Sequence, residues 1–169
     1  MVMIMLILLF LPLITAAIVY NLSVVIYCVW YKLKINKLLE NINAKEDLAH
    51  IPYKDFINLV AEIFKREGYR VKRTDKCGEF GNGLILNDLQ FVEVWKYVSN
   101  PAVDVEVAMN LAKCMQTCSI HRGKLVSLRD FKQNTRLFCH KNVIECISAQ
   151  QILEMCKEVR KRREVLQTD

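Results

Sequence analysis

From Met1 to Tyr31 the chain is nearly unbroken apolar sequence, with Asn21 and Ser23 its only strongly polar interruptions and Pro12 its one helix breaker. A hydrocarbon core of roughly 30 Å needs about 20 apolar helical residues. The run therefore predicts one membrane-crossing helix and is too short for two. A cleaved leader would want basic residues before the apolar run and small residues at a cut site just after it. No basic residue precedes the run, and after Thr15-Ala16-Ala17 apolar sequence continues to Tyr31. The run reads as an uncleaved anchor.

Past Lys32 the pattern changes. Ile35, Leu38, Leu39 and Ile42 recur at helical spacing and suggest a short amphipathic continuation within a juxtamembrane linker over 32–51, ended by Pro52. Phe56, Leu59, Val60, Ile63 and Phe64 mark one face of a helix that stops at Gly68. Alternation over Tyr69–Thr74 predicts a half-buried strand. A Gly-rich turn, Cys77–Gly83, leads into a hairpin: Leu84–Leu86, a tight turn at Asn87-Asp88, then Gln90–Val98. Further elements are expected as a helix over Val103–Ser119, a strand over Lys124–Ser127, a helix over Asp130–Cys139, a strand over Val143–Ile147 and a helix from Ala149 to Val165. This order predicts an α/β (α+β) fold, a mixed central sheet flanked by helices. The domain is expected over 52–165, with 166–169 a tail.

Charge sharpens the division. All 24 Lys+Arg and all 18 Asp+Glu follow Tyr31, and the formal net charge is +6. Lys32, Lys34 and Lys37 directly after the apolar run predict an N-terminus outside and a C-terminal domain in the cytoplasm. Tyr27, Trp30 and Tyr31 fit an aromatic belt on the same side. Seven cysteines, one of them (Cys28) inside the run, lack the spacing of a secreted disulfide scaffold. The others read as reduced, mostly buried thiols.

The segment Tyr53–Val71 resembles the opening helix and first strand of Mrr-type restriction endonuclease domains, and the Gly-rich turn before Leu84-Ile85-Leu86 resembles theirs. Phe91–Tyr97 stands where that family reads "VQCKRY". Gly123–Ser127 with Asp130-Phe131, then Val143–Ile147 with Gln151-Ile152-Leu153, resemble its later strands and closing helix. The resemblance covers about residues 53 to 155 and implies a restriction endonuclease-like (PD-(D/E)xK) fold with DNA as the ancestral ligand.

It also implies a site in which two acidic positions on neighbouring strands hold Mg²⁺ and a lysine reaches in from two residues along. Carried over position by position, the turn aspartate falls on Gly83, the Glu/Gln on Glu93, the lysine on Trp95 and the helix acid on Ile57. Lys96 comes one residue late and, at period two, faces away from Glu93. Glu79 or Asp88 could supply a second carboxylate only if the strand is rearranged, and a bulge at Val94-Trp95 would be needed to return Lys96.

Two readings follow. In the first, the domain is a membrane-anchored, catalytically inactive relative that binds nucleic acid or protein, with no cofactor and no small-molecule substrate, its partners being the membrane, DNA or a membrane protein. In the alternative it is a Mg²⁺-dependent endonuclease using Glu93 and Lys96, with Glu79 or Asp88 as second ligand.

The remaining candidates concern charge and thiols. Arg70, Lys72 and Arg73 on a strand, with Lys157, Arg160, Lys161, Arg162 and Arg163 on the last helix, are candidate contacts for nucleic-acid or lipid phosphates. Cys114, Cys118 and His121, with Cys139-His140, have zinc-ligand residue types but no knuckle spacing, and buried thiols are the favoured reading. His50 and His121 read as solvated loop residues.

Overall fold

The computed structural model describes residues 2–75, 83–96 and 102–168, with side chains described over 14–75, 83–96 and 102–163. The chain divides into two compact units, Met1–Lys37 and Leu38–Asp169.

Helix α1 spans Val2–Asn41. Within the first unit its side chains from Ile14 to Trp30 are exposed, and this is one helix long and apolar enough to cross a membrane. Asn21 donates its side-chain amide to the Ala17 carbonyl (2.7 Å) and Ser23 its hydroxyl to that of Tyr20 (2.7 Å). Such internal bonds lower the cost of carrying polar groups in an apolar solvent.

The second unit holds the folded domain, with helices α2 (Lys45–His50), α3 (Tyr53–Arg66), α4 (Val105–Thr117), α5 (Gln133–Lys141) and α6 (Ala149–Thr168). Its strands are β1 (Val71–Thr74), β2 (Gly83–Leu86), β3 (Gln90–Trp95), β4 (Ala102–Val103), β5 (Arg122–Ser127), β6 (Asp130–Phe131) and β7 (Ile144–Ile147). The main sheet has the order β1-β2-β3-β5-β7: β1, β2 and β3 are antiparallel, while β3, β5 and β7 are parallel. The fold is a mixed five-stranded sheet flanked by helices, as the pattern predicts.

Strand alternation divides the interior in two. Leu84, Leu86, Val92, Val94, Val126 and Ile147 face α3 and α6, whose Phe56, Leu59, Phe64, Ile152 and Cys156 complete a first core. Phe91, Trp95 and Leu125 face α4 and α5, meeting Leu111, Met115 and Cys139 in a second.

Helix α3 closes in a Schellman motif: Gly68 adopts φ +95°, and Tyr69 N–H donates to Phe64 O (3.0 Å) while the two rings meet edge to face. The β2–β3 turn places both Asn87 (φ 53°) and Asp88 (φ 61°) in the left-handed region, which these residue types tolerate.

Three differences from the sequence reading have physical causes. The parallel pair β4-β6 is two residues long on each side, too short for any period, and it shortens the flanking helices to Val105–Thr117 and Gln133–Lys141. The second half of the expected linker is core: Leu39, Ile42, Leu48 and Ile51 join the α3/α6 cluster. Leu38, from the same amphipathic stripe, packs against that cluster. Residues 97–98, expected to extend β3, lie outside the described residues.

Candidate functional site

Register sets the arrangement around Glu93. In the antiparallel hairpin Leu84 pairs with Val92, so one step along Gly83 stands opposite Glu93. Gly83 also pairs with Thr74, and Glu93 with Leu125. One ladder row therefore reads Thr74, Gly83, Glu93, Leu125, Cys146. Paired side chains stand about 5 Å apart on the same face, so the position beside the Glu93 carboxylate carries only a hydrogen.

Glu93 is 6% exposed and shares the α4/α5 face with Phe91 and Trp95. Trp95, at the position of the family's lysine, is packed into that core. Lys96 is on the opposite side, its Nζ 5.8 Å from the centroid of the Phe56 ring on α3. Burial there holds its ammonium below the usual lysine range. The bulge that would return Lys96 to Glu93 is absent: Val94 and Trp95 pair with Val126 and Ser127 in unbroken register.

Of the candidate second ligands, only Asp88 lies among the described residues. Asp88 occupies the far end of the hairpin, where it accepts from Arg70 and pairs with Lys72 (2.8 Å). The hydrogen bond from Lys72 is the main cause that holds its carboxyl below the usual range. Glu79 lies outside the described residues. Ile57 is buried in the first core, while the buried polar residues of α3 are Asp55 and Asn58. The sequence signal for these two was their three-residue spacing on one side of a helix otherwise read by its apolar positions. Tyr53 was also missed; its hydroxyl donates to Val94 O (3.3 Å) and ties the start of α3 to the end of β3.

A Mg²⁺ ion in this fold needs several oxygen ligands from neighbouring strands. The described residues do not fit it: the row offers Glu93 alone. Among the described residues no three His, Cys, Asp or Glu are grouped to hold a metal ion, Cys114, Cys118 and His121 included. Cys114 and Cys118 are half-buried against the second core rather than fully buried. His50, His121 and His140 are exposed.

The eight candidate phosphate-binding cations separate. Arg70 and Lys72 are engaged by Asp88. Arg160 donates to Glu40 O (2.8 Å) and Asn43 Oδ1 (3.0 Å), and Arg163 pairs with Glu40 (2.6 Å). These two bind α6 to residues 40–43 and act as structural ties. Arg162 lies 3.7 Å from Glu158, a loose exposed pair. Arg73, Lys157 and Lys161 are exposed.

A family model described as Mrr_cat, restriction endonuclease, matches residues 48–156. Among solved structures the chain is similar to the DNA modification-dependent restriction endonuclease AspBHI, with a TM-score of 0.50 and 14% identity over 79% of this chain and 40% of that one. At that identity the likeness is one of fold, and the chain spans less than half of that enzyme's length. No curated protein matches the chain.

Proposed function

The chain belongs to the Mrr_cat restriction endonuclease family, and on that premise we propose that it is a membrane-anchored member that has lost hydrolysis and uses its nuclease fold to bind nucleic acid. The observation that carries the reading is the Thr74-Gly83-Glu93-Leu125 row. A glycine faces the one carboxylate, and two residues along the same face an indole replaces the ammonium. A lone carboxylate recruits a divalent ion poorly, and the ammonium that the family's lysine would offer a developing phosphorane is replaced by an indole. The exposed, apolar helix α1 supports the anchor, and the lysines after Tyr31 support a cytoplasmic domain.

The test incubates the purified full chain in detergent with DNA and Mg²⁺ or Mn²⁺ beside Glu93→Ala. No cutting by either protein is expected. Cutting by the parent that disappears in the variant overturns the inactive reading and favours a nuclease built on Glu93. Binding is read by salt titration of DNA affinity. Phosphate contacts from Arg73, Lys157 and Lys161 predict affinity that falls with salt at a log–log slope of about −3, near −0.9 per contact. Affinity indifferent to salt removes nucleic acid as the ligand and leaves a protein partner. Protease protection in sealed inside-out vesicles tests orientation: the C-terminal domain is digested if it is cytoplasmic and spared if the topology is reversed.

A further inference from the structure

Cysteines collect on one side of the sheet. Cys114, Cys118, Cys139 and Cys146 all belong to or pack against the α4/α5 core. Two of them meet. Cys146, on β7, pairs with Leu125 in the Glu93 row, so its side chain is directed toward α5. Cys139 is in the last turn of α5, which returns to β7 through only Asn142 and Val143. Cys139 lies in the second core and Cys146 packs against it, and each thiol acts on the other's proton affinity.

Their surroundings differ in a chemically useful way. Cys139 is 1% exposed, whereas Cys146 is only half-buried. Arg136, one turn before Cys139, holds its guanidinium 5.6 Å from the Phe131 ring centroid, with Nε donating to Phe131 O (3.3 Å). From there its charge acts on Cys146. The Cys146 thiol is drawn below its usual range, first by the hydrogen bond from Cys139 and then by Arg136, while Cys139 is pushed up. A partly exposed thiol of lowered proton affinity beside a buried partner thiol is the arrangement of an attacking and a resolving cysteine.

We propose that Cys139 and Cys146 are a peroxide-sensitive dithiol, oxidised to a disulfide that fastens α5 to β7. The Cys146 thiolate attacks a hydroperoxide oxygen; the O–O bond breaks, and the departing hydroxide or alkoxide takes up a proton from solvent. Cys146 is then a sulfenic acid. The Cys139 sulfur attacks that sulfenic sulfur, the S–S bond forms, and the sulfenic oxygen leaves as water with the Cys139 proton. The pair has lost two electrons and the peroxide has gained them. A small dithiol reverses the change by thiol–disulfide exchange.

The experiment treats the full chain in detergent with a small excess of hydrogen peroxide, blocks free thiols and maps peptides without reduction. A linked Cys139–Cys146 peptide, restored to two free thiols by dithiothreitol, is expected. In Cys139→Ala, Cys146 should accumulate as a sulfenic acid trapped by dimedone, whereas in Cys146→Ser, Cys139 should stay unlabelled. Near-native far-UV circular dichroism in both variants excludes loss of fold as the cause. The proposal is overturned if the dominant link joins other cysteines, if Cys146 is oxidised no faster than exposed Cys28, or if Cys146 passes to a sulfinic acid in the parent while Cys139 stays reduced.

Discussion

The two faces of the sheet follow different rules. On the α3/α6 side the buried strand positions Leu84, Leu86, Val92, Val94, Val126 and Ile147 are all aliphatic, and the Lys124 ammonium pairs with Glu145 and lies over Phe64. The helix there ends on Gly68, the residue type for which a left-handed conformation costs least. On the α4/α5 side the sheet presents a buried carboxylate, an indole and a thiol. Its two helices end on Ser119 (φ 54°) and Val143 (φ 56°). For a β-branched residue that conformation is strained. One face is an aliphatic scaffold; the other carries the polar and reactive side chains and the backbone irregularities.

The largest way to break this contrast is Phe56→Ala. Phe56 is fully buried in the first core, and its removal should cost about 3–5 kcal/mol in urea unfolding. A loss below about 1 kcal/mol would mean that the scaffold face is no better packed than the other.

The second is a reversal of the site. Gly83→Asp with Trp95→Lys rebuilds the family's residue types in the Glu93 row and should cost about 2–4 kcal/mol from the lost indole and buried charge. In return the variant should bind Mn²⁺ in a titration calorimeter where the parent does not. Parent binding of equal strength would put the metal ligands elsewhere.

Val143→Gly is smaller and of opposite sign. The valine side chain is 60% exposed, so little burial is lost, and relief of its backbone should stabilise by about 1 kcal/mol. Destabilisation would show that the turn is supported by its side chain.

Smallest is Glu67→Gln on the scaffold side. Glu67 follows the last turn of α3, and burial holds its carboxyl above the usual range against the pull of Arg162 and Lys124. A raised acid favours the folded state when protonated, so its cost is complete only above the folded value and vanishes below the unfolded one. Glu67→Gln should therefore raise Tm by on the order of 1 °C at pH 7 and change nothing near pH 3. A gain that persists in acid would have another cause.

Much of this contrast was legible before the fold. Period two alone places Glu93 and Trp95 together and Lys96 apart, and the five-position face of α3 needs no tertiary information. The Asn87-Asp88 turn was equally visible from residue type. What escaped was partnership. Arg160 and Arg163 read as a basic patch because Glu40, which engages them, is more than a hundred residues away; Asp88 read as a candidate ligand because the β1–β2 pairing that brings Arg70 and Lys72 onto it leaves no local mark. Leu39 and Ile42 were recognised as an amphipathic stripe, but periodicity never says what an apolar stripe will meet.

The hairpin turn has a consequence for history. Two left-handed residues at its tip fix the reading frame of β2 against β3, and a slip by one would exchange every inward and outward residue on the strand. Glu93 would be thrust among the aliphatic side chains under α3, and Val92 and Val94 would leave them. An insertion or deletion in this loop therefore cannot bring the family's residue types beside Glu93; only substitution at Gly83 and Trp95 themselves can.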